Sequence, residues 1–223
     1  MQQFATTTAV SAVLEIPAGR IRFIAADRTD TTVEVLPVST AKSADVKAAE
    51  RTEVSYADGV LRITAPEAGN KAFGQSGAVE VTVQLPAGSR VRARTAAAEL
   101  RGVGRLGEVV FESAQGTVKL DETAGARVTL QSGDISVGLL AGPAQITTLK
   151  GDLNIAEARQ GVLTLRTEHG DITVGAARGV SATLDAGTSY GRILNSLGNT
   201  DGPAAALHID ATTTYGNITA RSA

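Results

Sequence analysis

Three aspartates that each follow a glycine directly are the side chains of this sequence best suited to chemistry. They are Asp134, Asp152 and Asp171, spaced 18 and 19 residues apart. Clustered carboxylates cleave glycosidic bonds in many enzymes, and carboxylate oxygens also bind Ca²⁺. If the chain stacks these segments, the three carboxylates lie in a row. We favour a different interpretation, turn chemistry, because aspartate after glycine commonly bonds nearby backbone in a turn.

The two histidines are weaker candidates for catalysis or metal binding. His169 directly precedes Gly170, and His208 lies in the apolar phrase "LHID", and neither stands next to a plausible nucleophile or ligand partner. The dense glycines of a calcium-binding nonapeptide repeat and the glycine-rich loop of a phosphate site are both missing from the sequence. We therefore predict no catalytic residue, no metal ligand and no cofactor.

Five arginines alternate with apolar residues in two segments, which places those of each segment on one face of a strand. They are Arg20, Arg22, Arg90, Arg92 and Arg94. They could form an anion-binding patch, but the net charge of −2 favours a solvated sheet face on which arginines discourage edge pairing. With three Tyr, four Phe and no Trp, the chain also lacks the stacking platforms of single-strand binding proteins, so we predict no nucleic-acid partner.

The aspartates belong to a repeated phrase that must position them. The stretch "LQSGDISVG" returns as "LKGDLNIAE", "TEHGDITVG", "TSYGRILNS" and "TTYGNITAR". Apolar and polar residues alternate on both sides of the glycine, which predicts strand, turn, strand in every unit. The aligned glycines, 17 to 25 residues apart, are Gly116, Gly133, Gly151, Gly170, Gly191 and Gly216. The residues two positions later are Val118, Ile135, Leu153, Ile172, Ile193 and Ile218.

Two topologies fit this pattern. We predict an all-β fold, a single-stranded β-helix or solenoid-like stack of ~18-residue strand–turn–strand repeats. The alternative is an antiparallel β-sandwich or meander with a hairpin at each glycine. Direct stacking explains why equivalent positions hold the same residue type, so Ile135, Leu153 and Ile172 should be buried in adjacent coils.

The first ninety residues are less regular than the rest. We expect an irregular N-terminal β region over residues 1–90 that continues into a β-repeat array over 91–223, with both forming one structural unit. Within the first region, Ser43–Arg51 has the pattern of a short helix, Asp58 and Gly59 that of a hairpin turn, and Pro66–Gly77 that of a loop.

The repeats "GDITV" and "TSYGRI", with the closing "TTTYGNITA", resemble the bacterial β-strand-repeat family of unknown function called toastrack domains, whose members are described as candidate adhesins. The resemblance is strongest from Val79 to the end of the sequence. It implies a β-helix-like, non-enzymatic domain, which in some relatives is attached to membrane proteins of envelope-stress systems. This chain departs from those relatives because it has no stretch of the ~20 apolar residues that span a bilayer.

We expect a cytoplasmic protein without direct membrane insertion, because the sequence has no cysteine and its start lacks the pattern of a signal peptide. A chain without its export signal or anchor would look the same, so an exported or envelope-associated location is the alternative.

The expected function is a non-enzymatic scaffold for protein binding or self-assembly. The alternative is a β-helix carbohydrate-active enzyme or polysaccharide-binding module. A solenoid leaves unpaired backbone groups at its ends, and the last repeat runs to within a few residues of Ala223. We therefore predict a partner edge for a protein or a second copy at Thr212, Thr213, Thr214, Tyr215, Asn217 and Thr219.

Overall fold

The computed structural model describes residues 1–65 and 77–222 of the chain. The chain divides into two compact units, Met1–Gly116 and Thr117–Ala223. Each unit contains a stack of parallel strands wound in coils, so the predicted solenoid is confirmed. The predicted loop Pro66–Gly77 lies outside the described residues except for Gly77. Within residues 1–65 and 77–222, no helix is long and apolar enough to cross a membrane.

The first unit combines a stack of parallel strands with outer strands that pair antiparallel. Its described elements are β1 (Gln2–Ala5), β2 (Ser11–Glu15), β3 (Ala18–Ala26), β4 (Asp30–Pro37), α1 (Ser43–Arg51), β5 (Glu53–Ala57), β6 (Val60–Thr64), β7 (Ala78–Pro86), β8 (Arg90–Arg94) and β9 (Ala97–Gln115). One ladder of hydrogen-bonded strands runs β1, β4, β7, β3, β9, and the other runs β5, β6, β2, β8, β9. Parallel pairing in this unit therefore begins with β2, at Ser11.

The predicted helix and hairpin of the first unit are both confirmed. Helix α1 packs against β4 and β7, and the Oδ1 atom of its buried Asp45 accepts a hydrogen bond of 2.9 Å from the Ala78 N–H. Strands β5 and β6 pair antiparallel through a turn in which Asp58 has a φ of 51° and Gly59 a φ of 76°. Positive φ at two successive residues is what the type I′ turn of a two-residue hairpin requires.

The second unit carries the regular repeats. Its described elements are β10 (Val118–Ser132), β11 (Ile135–Leu140), β12 (Ala144–Thr147), β13 (Leu153–Ala158), β14 (Gly161–Arg166), β15 (Ile172–Ala176), β16 (Ala182–Tyr190), β17 (Ile193–Ser196), a short 3₁₀ turn (Gly202–Ala204), β18 (Leu207–Tyr215) and β19 (Ile218–Ser222). Each coil gives one strand to each of two parallel ladders, with the glycine of the repeated phrase at the bend between them.

The order of coils in space differs from their order in the sequence. One ladder runs β10, β11, β13, β15, β19, β17, and the other runs β10, β12, β14, β18, β16. The last coil of the sequence, Leu207–Ser222, thus lies between the coil of β14 and β15 and the coil Ala182–Ser196. We call Ala182–Ser196 the end coil. The prediction that β18 and β19 form the exposed edge is wrong, because they are paired on both sides.

The apolar column two positions after the glycine forms the core of this unit. Ile135 pairs in register with Leu153, and Leu153 with Ile172. Their exposed fractions are 1%, 1% and 0%. The column continues through Ile218 to Ile193 of the end coil. The prediction that the first three residues are buried in adjacent coils is confirmed.

The corner glycines are required by the closeness of neighbouring coils. A Cβ atom on Gly170 would lie 2.0 Å from the carbonyl oxygen of Gly151, and one on Gly216 would lie 1.9 Å from that of Gly170. No real Cβ atom tolerates such a distance to backbone. The repeated phrase returns because each coil turns the same corner against the backbone of its neighbour.

Candidate functional site

The three aspartates of the repeated phrase form a chain of hydrogen bonds from coil to coil. An Oδ1 atom of Asp134 accepts from the Asp152 N–H at 2.9 Å, and one of Asp152 accepts from the Asp171 N–H at 2.8 Å. Asp171 accepts from the Asn217 N–H at 2.7 Å, and the Asn217 side chain accepts from the Arg192 N–H at 3.0 Å. Each side chain therefore caps a backbone donor of the neighbouring coil.

These contacts stabilise three carboxylates that lie in neighbouring coils. In each case a backbone N–H of the neighbouring coil points at the carboxylate, and for Asp134 and Asp152 this contact offsets the repulsion from the next carboxylate. No group of three or more His, Asp or Glu residues within 1–65 and 77–222 is placed to hold a metal ion. The row that the sequence predicts exists, and its geometry is that of turn chemistry.

The triple variant Asp134→Asn, Asp152→Asn, Asp171→Asn should melt within a few degrees of the wild type, because an amide oxygen accepts the same hydrogen bonds. Asn217 already does so for the Arg192 N–H in the native chain. The matched triple alanine variant should lose about 1 kcal/mol per site, since the backbone donors lose their acceptors. Thermal unfolding followed by circular dichroism, with and without Ca²⁺, measures both. A melting temperature that rises with Ca²⁺ in the wild type alone would contradict the structural role.

A column of threonines supports the same corners and was missed in the sequence interpretation. The Thr167 hydroxyl donates to the Gly151 carbonyl at 3.1 Å, and the Thr213 hydroxyl donates to the Gly170 carbonyl at 3.0 Å. Thr188 makes the equivalent bond, to Gly216, at 3.0 Å. The signal is visible in "TEHG", "TTYG" and "TSYG", where threonine stands three positions before the glycine.

Three aromatic rings stack along the residues that precede the corner glycines. The rings of His169 and Tyr215 are 4.9 Å apart at 2°, and those of Tyr215 and Tyr190 are 4.8 Å apart at 4°. Tyr190 belongs to the end coil and is 66% exposed, and Tyr215 is the one ring that it stacks on among the described residues. His208 contacts Thr183 through its Nδ1 atom, at 2.7 Å from the hydroxyl. Both histidines thus have packing or hydrogen-bonding roles.

The end coil is the least protected part of the second unit. Ile193 is 43% exposed although its column neighbour Ile218 is fully buried, and the adjacent Leu194 is 58% exposed. In the part of the chain that the structure describes, β16 pairs only with β18 and β17 only with β19. One edge of each strand therefore carries free backbone N–H and C=O groups.

The connection from β17 back to β18 covers only the beginning of the end coil. The Ser181 hydroxyl accepts from the Thr200 and Asp201 N–H groups, both at 3.1 Å, and the Ala182 N–H donates to the Gly198 carbonyl at 3.0 Å. Ala182 is buried, whereas most of the coil from Asp185 to Ser196 is exposed. The open edge thus extends along most of β16 and all of β17.

The predicted partner residues lie one coil further in. In the β18 ladder, Thr212 pairs with both Arg166 and Gly187, and Thr219 of β19 pairs with both Thr173 and Leu194. The last coil of the sequence, Leu207–Ser222, contains all six predicted positions, which are Thr212, Thr213, Thr214, Tyr215, Asn217 and Thr219. One sequence signal marked the true end: Asn195 is the one polar residue in the column four positions after the glycine.

The repeats match a family over nearly the whole chain. Residues 12–222 match the Toastrack DUF4097 family. The chain belongs to this family. The resemblance drawn from the repeated phrases is confirmed, while no curated protein matches this Toastrack chain.

Three solved structures are similar to this Toastrack chain. A candidate adhesin from Bacteroides fragilis NCTC 9343 is 12% identical, covers 100% of this chain and 95% of that one, and has a TM-score of 0.52. A candidate cell adhesion protein from Clostridium sporogenes ATCC 15579 is 10% identical over 100% and 99%, with a TM-score of 0.39. A candidate lipid binding protein from Parabacteroides distasonis ATCC 8503 is 12% identical over 98% and 95%, with a TM-score of 0.42. The first of these likenesses shows the fold of the Toastrack chain.

The five arginines of the Toastrack chain do not share one strand face. Arg20 and Arg22 lie on β3, whereas Arg90, Arg92 and Arg94 lie on β8 in the other ladder. Arg20 pairs in register with Glu80 and Glu99, and its Nε atom is 3.8 Å from Glu99. Alternating charges on neighbouring strands stabilise a sheet.

The second arginine group follows the same rule. Arg94 stands between Glu15 and Glu112 and binds the Glu112 carboxylate at 2.7 Å. The hydrogen bond and the charge of Glu112, with a smaller contribution from the charge of Glu15, raise the pKa of Arg94 above its ordinary value. Two of the five arginines thus face glutamates, which favours the solvated sheet face over an anion-binding patch in this Toastrack chain.

Proposed function

We propose that this chain is a non-enzymatic scaffold that binds protein through the open edge of the end coil. One observation carries the proposal: the end coil Ala182–Ser196 leaves both of its strands unpaired on one side, with apolar side chains exposed beside the free backbone groups. An extended segment of another protein can add to such an edge as a further strand, gaining main-chain hydrogen bonds along its length.

The side chains of the end coil suit this mode of binding. Ile193 points toward the core and Leu194 to the outer face, so a strand added along β17 would cover both. Proline, lysine and bulges are among the devices that protect an edge strand. Neither proline nor lysine occurs in Ala182–Ser196, and β16 pairs with β18 without a register shift.

The candidate carboxylates offer little support for the rival proposal of an enzyme. Asp134, Asp152 and Asp171 are each committed to a backbone donor. A hollow beside α1 brings Lys42 and Asp45 together, but the Asp45 carboxylate accepts the Ala78 N–H. At neither of these two places do several free polar groups point toward one spot, as they do in a catalytic cleft.

The name of the candidate adhesin from Bacteroides fragilis supports a binding role, since the two chains share a fold. Adhesion is itself a binding function that needs no catalytic residue. The cytoplasmic location, with an envelope-associated one as the alternative, stays a prediction.

Site-specific photo-crosslinking in cells that express the chain tests the proposal. A photoreactive amino acid at position 194, where Leu194 is 58% exposed on the end coil, should form adducts with protein. The matched control is position 162, where Val162 is 56% exposed on the outer face of β14, a strand paired on both sides. The control position should give few adducts or none.

Mass spectrometry of the crosslinked peptides identifies what was captured. Protein adducts at position 194 in clear excess over position 162 support the scaffold. Equal labelling at the two positions, or adducts with carbohydrate alone at position 194, would contradict it.

A further inference from the structure

We infer that the occupant of the open edge is a second copy of this chain, joined end coil to end coil about a two-fold axis near the corner. This rests on the proposed function of the edge and names its partner. The inference follows from three properties of the end coil: its two-strand shape, the alternation of its side chains and the placement of its two charges.

The shape of the end coil allows two copies of the chain to pair with each other. The coil consists of β16, a glycine corner at Gly191, and β17. A two-fold axis near the corner lays β16 of one copy antiparallel to β17 of the other, and the reverse pairing forms by symmetry. Such an interface is isologous, so one patch provides both halves and the assembly closes at two copies.

One antiparallel register matches the two faces of these strands. Placing Ile193 of one copy opposite Ala186 of the other sets inward-facing residues against each other, because Ala186 pairs with the buried Ala211 and Ile193 with the buried Ile218. The apolar column would then continue into the second copy and remove Ile193 from water. That burial favours association by the hydrophobic effect.

The same register brings opposite charges together. It places Arg192 of one copy opposite Gly187 of the other, two residues from Asp185 on the same outer face. Diagonal neighbours at this separation are within reach of a long side chain, and Gly187 leaves room for the arginine. Neither Asp185 nor Arg192 has an ion-pair partner in residues 1–65 and 77–222.

Asp185 also has a reason to accept a cation from outside. Its register partner on β18 is Asp210, a like charge, and Asp210 is engaged by Arg166 at 3.7 Å. Like charges directly opposite each other destabilise a sheet. Arg192 of a second copy would relieve this repulsion at the edge.

The outer strands of the first unit are less suited to this role. The large apolar side chains of β1 and β5, which are Phe4, Val54 and Tyr56, are half-buried. Phe4 contacts Tyr56 with ring centroids 5.5 Å apart. These strands therefore lack the exposed apolar side chains that Ile193 and Leu194 provide on the end coil.

Sedimentation of the purified chain at micromolar concentrations tests the inference. The wild type should be a dimer. Leu194→Glu should weaken the dimer by at least about tenfold, because this register sets the new carboxylate opposite Asp185 of the other copy. Val162→Glu, equally exposed on an inner coil, should leave the dimer intact, and both variants should keep the wild-type circular dichroism spectrum.

A charge-reversal cycle distinguishes direct contact from a change in fold. Asp185→Arg and Arg192→Asp should each weaken the dimer, and the double variant should recover most of the wild-type association. A wild type that stays monomeric, a dimer that survives Leu194→Glu, or a double variant no better than the singles would each overturn the second-copy inference. If the purified chain is monomeric while position 194 still crosslinks to a different protein in cells, the second-copy inference fails and the proposed function stands. If the sedimentation and the crosslinking experiments both fail, the second-copy inference and the proposed function are both refuted.

Discussion

Replacing Ile172 by aspartate should unfold the second unit. Ile172 has an exposed fraction of 0% and lies in register between Leu153 and Ile218, so a carboxylate there would face apolar side chains on both sides without a partner. The expected loss is about 4 kcal/mol or more, because an unpaired charge in an apolar core is among the costliest single changes. Denaturant unfolding followed by far-ultraviolet circular dichroism measures it.

Two control variants separate the charge from the position. Thr173→Asp introduces the same carboxylate one residue along, on the outer face between Asn154 and Thr219, and should change stability by less than about 1 kcal/mol. Ile172→Val keeps an apolar side chain and should cost about 1 kcal/mol. If Ile172→Asp unfolds no more easily than Thr173→Asp, the continuous core column is refuted.

Replacing Gly170 by alanine should have the second largest effect on stability. The added Cβ atom would lie 2.0 Å from the Gly151 carbonyl oxygen, and the φ of Gly170 is +155°. The two coils must separate at the corner, which disturbs the Thr167 hydrogen bond to the Gly151 carbonyl and the acceptance of the Asp171 N–H by Asp152. We expect a loss of about 3 kcal/mol, which lowers the melting temperature by about 6–12 °C for a chain of this size.

The matched control for this prediction is Gly198→Ala. Gly198 has an ordinary φ, and a Cβ there would meet nothing closer than the Ser222 Oγ atom at 3.6 Å. Its substitution should shift the melting temperature little. Equal shifts for the two variants would show that the corner glycines are not held by close approach of neighbouring backbone.

Local chemistry that repeats in the sequence was enough to predict the coil. The glycine corner, the aspartate caps and the buried column of Ile135, Leu153 and Ile172 each recur at a fixed offset, and stacking places equal offsets beside each other. The helix Ser43–Arg51 and the hairpin at Asp58 could also be predicted from the sequence, because they depend on residues that are close in the chain.

The threonine column also follows a short sequence pattern, but it was not predicted from the sequence. Residues such as Thr167 and Thr213 are polar but buried, so the alternation of apolar and polar residues does not indicate their inward position. Their hydroxyls are satisfied by carbonyls of the neighbouring coil, which makes burial tolerable. A buried polar side chain of this kind becomes recognisable once its acceptor in the next coil is known.

The sequence predicts the coil, its corner and the inward side of each strand, because these depend on φ preference, side-chain alternation and local hydrogen bonds. The order in which the coils stack follows from the tertiary structure. The units around Gly191 and Gly216 share their apolar columns except at Asn195, which stands where the other unit has Ala220, and this one difference is the sequence signal for the outer coil. The structure inserts Leu207–Ser222 and leaves Ala182–Ser196 outside, where Asn195 faces water in place of an apolar residue. That choice depends on contacts between residues distant in the chain, and it moves the exposed edge from the last repeat to the one before it.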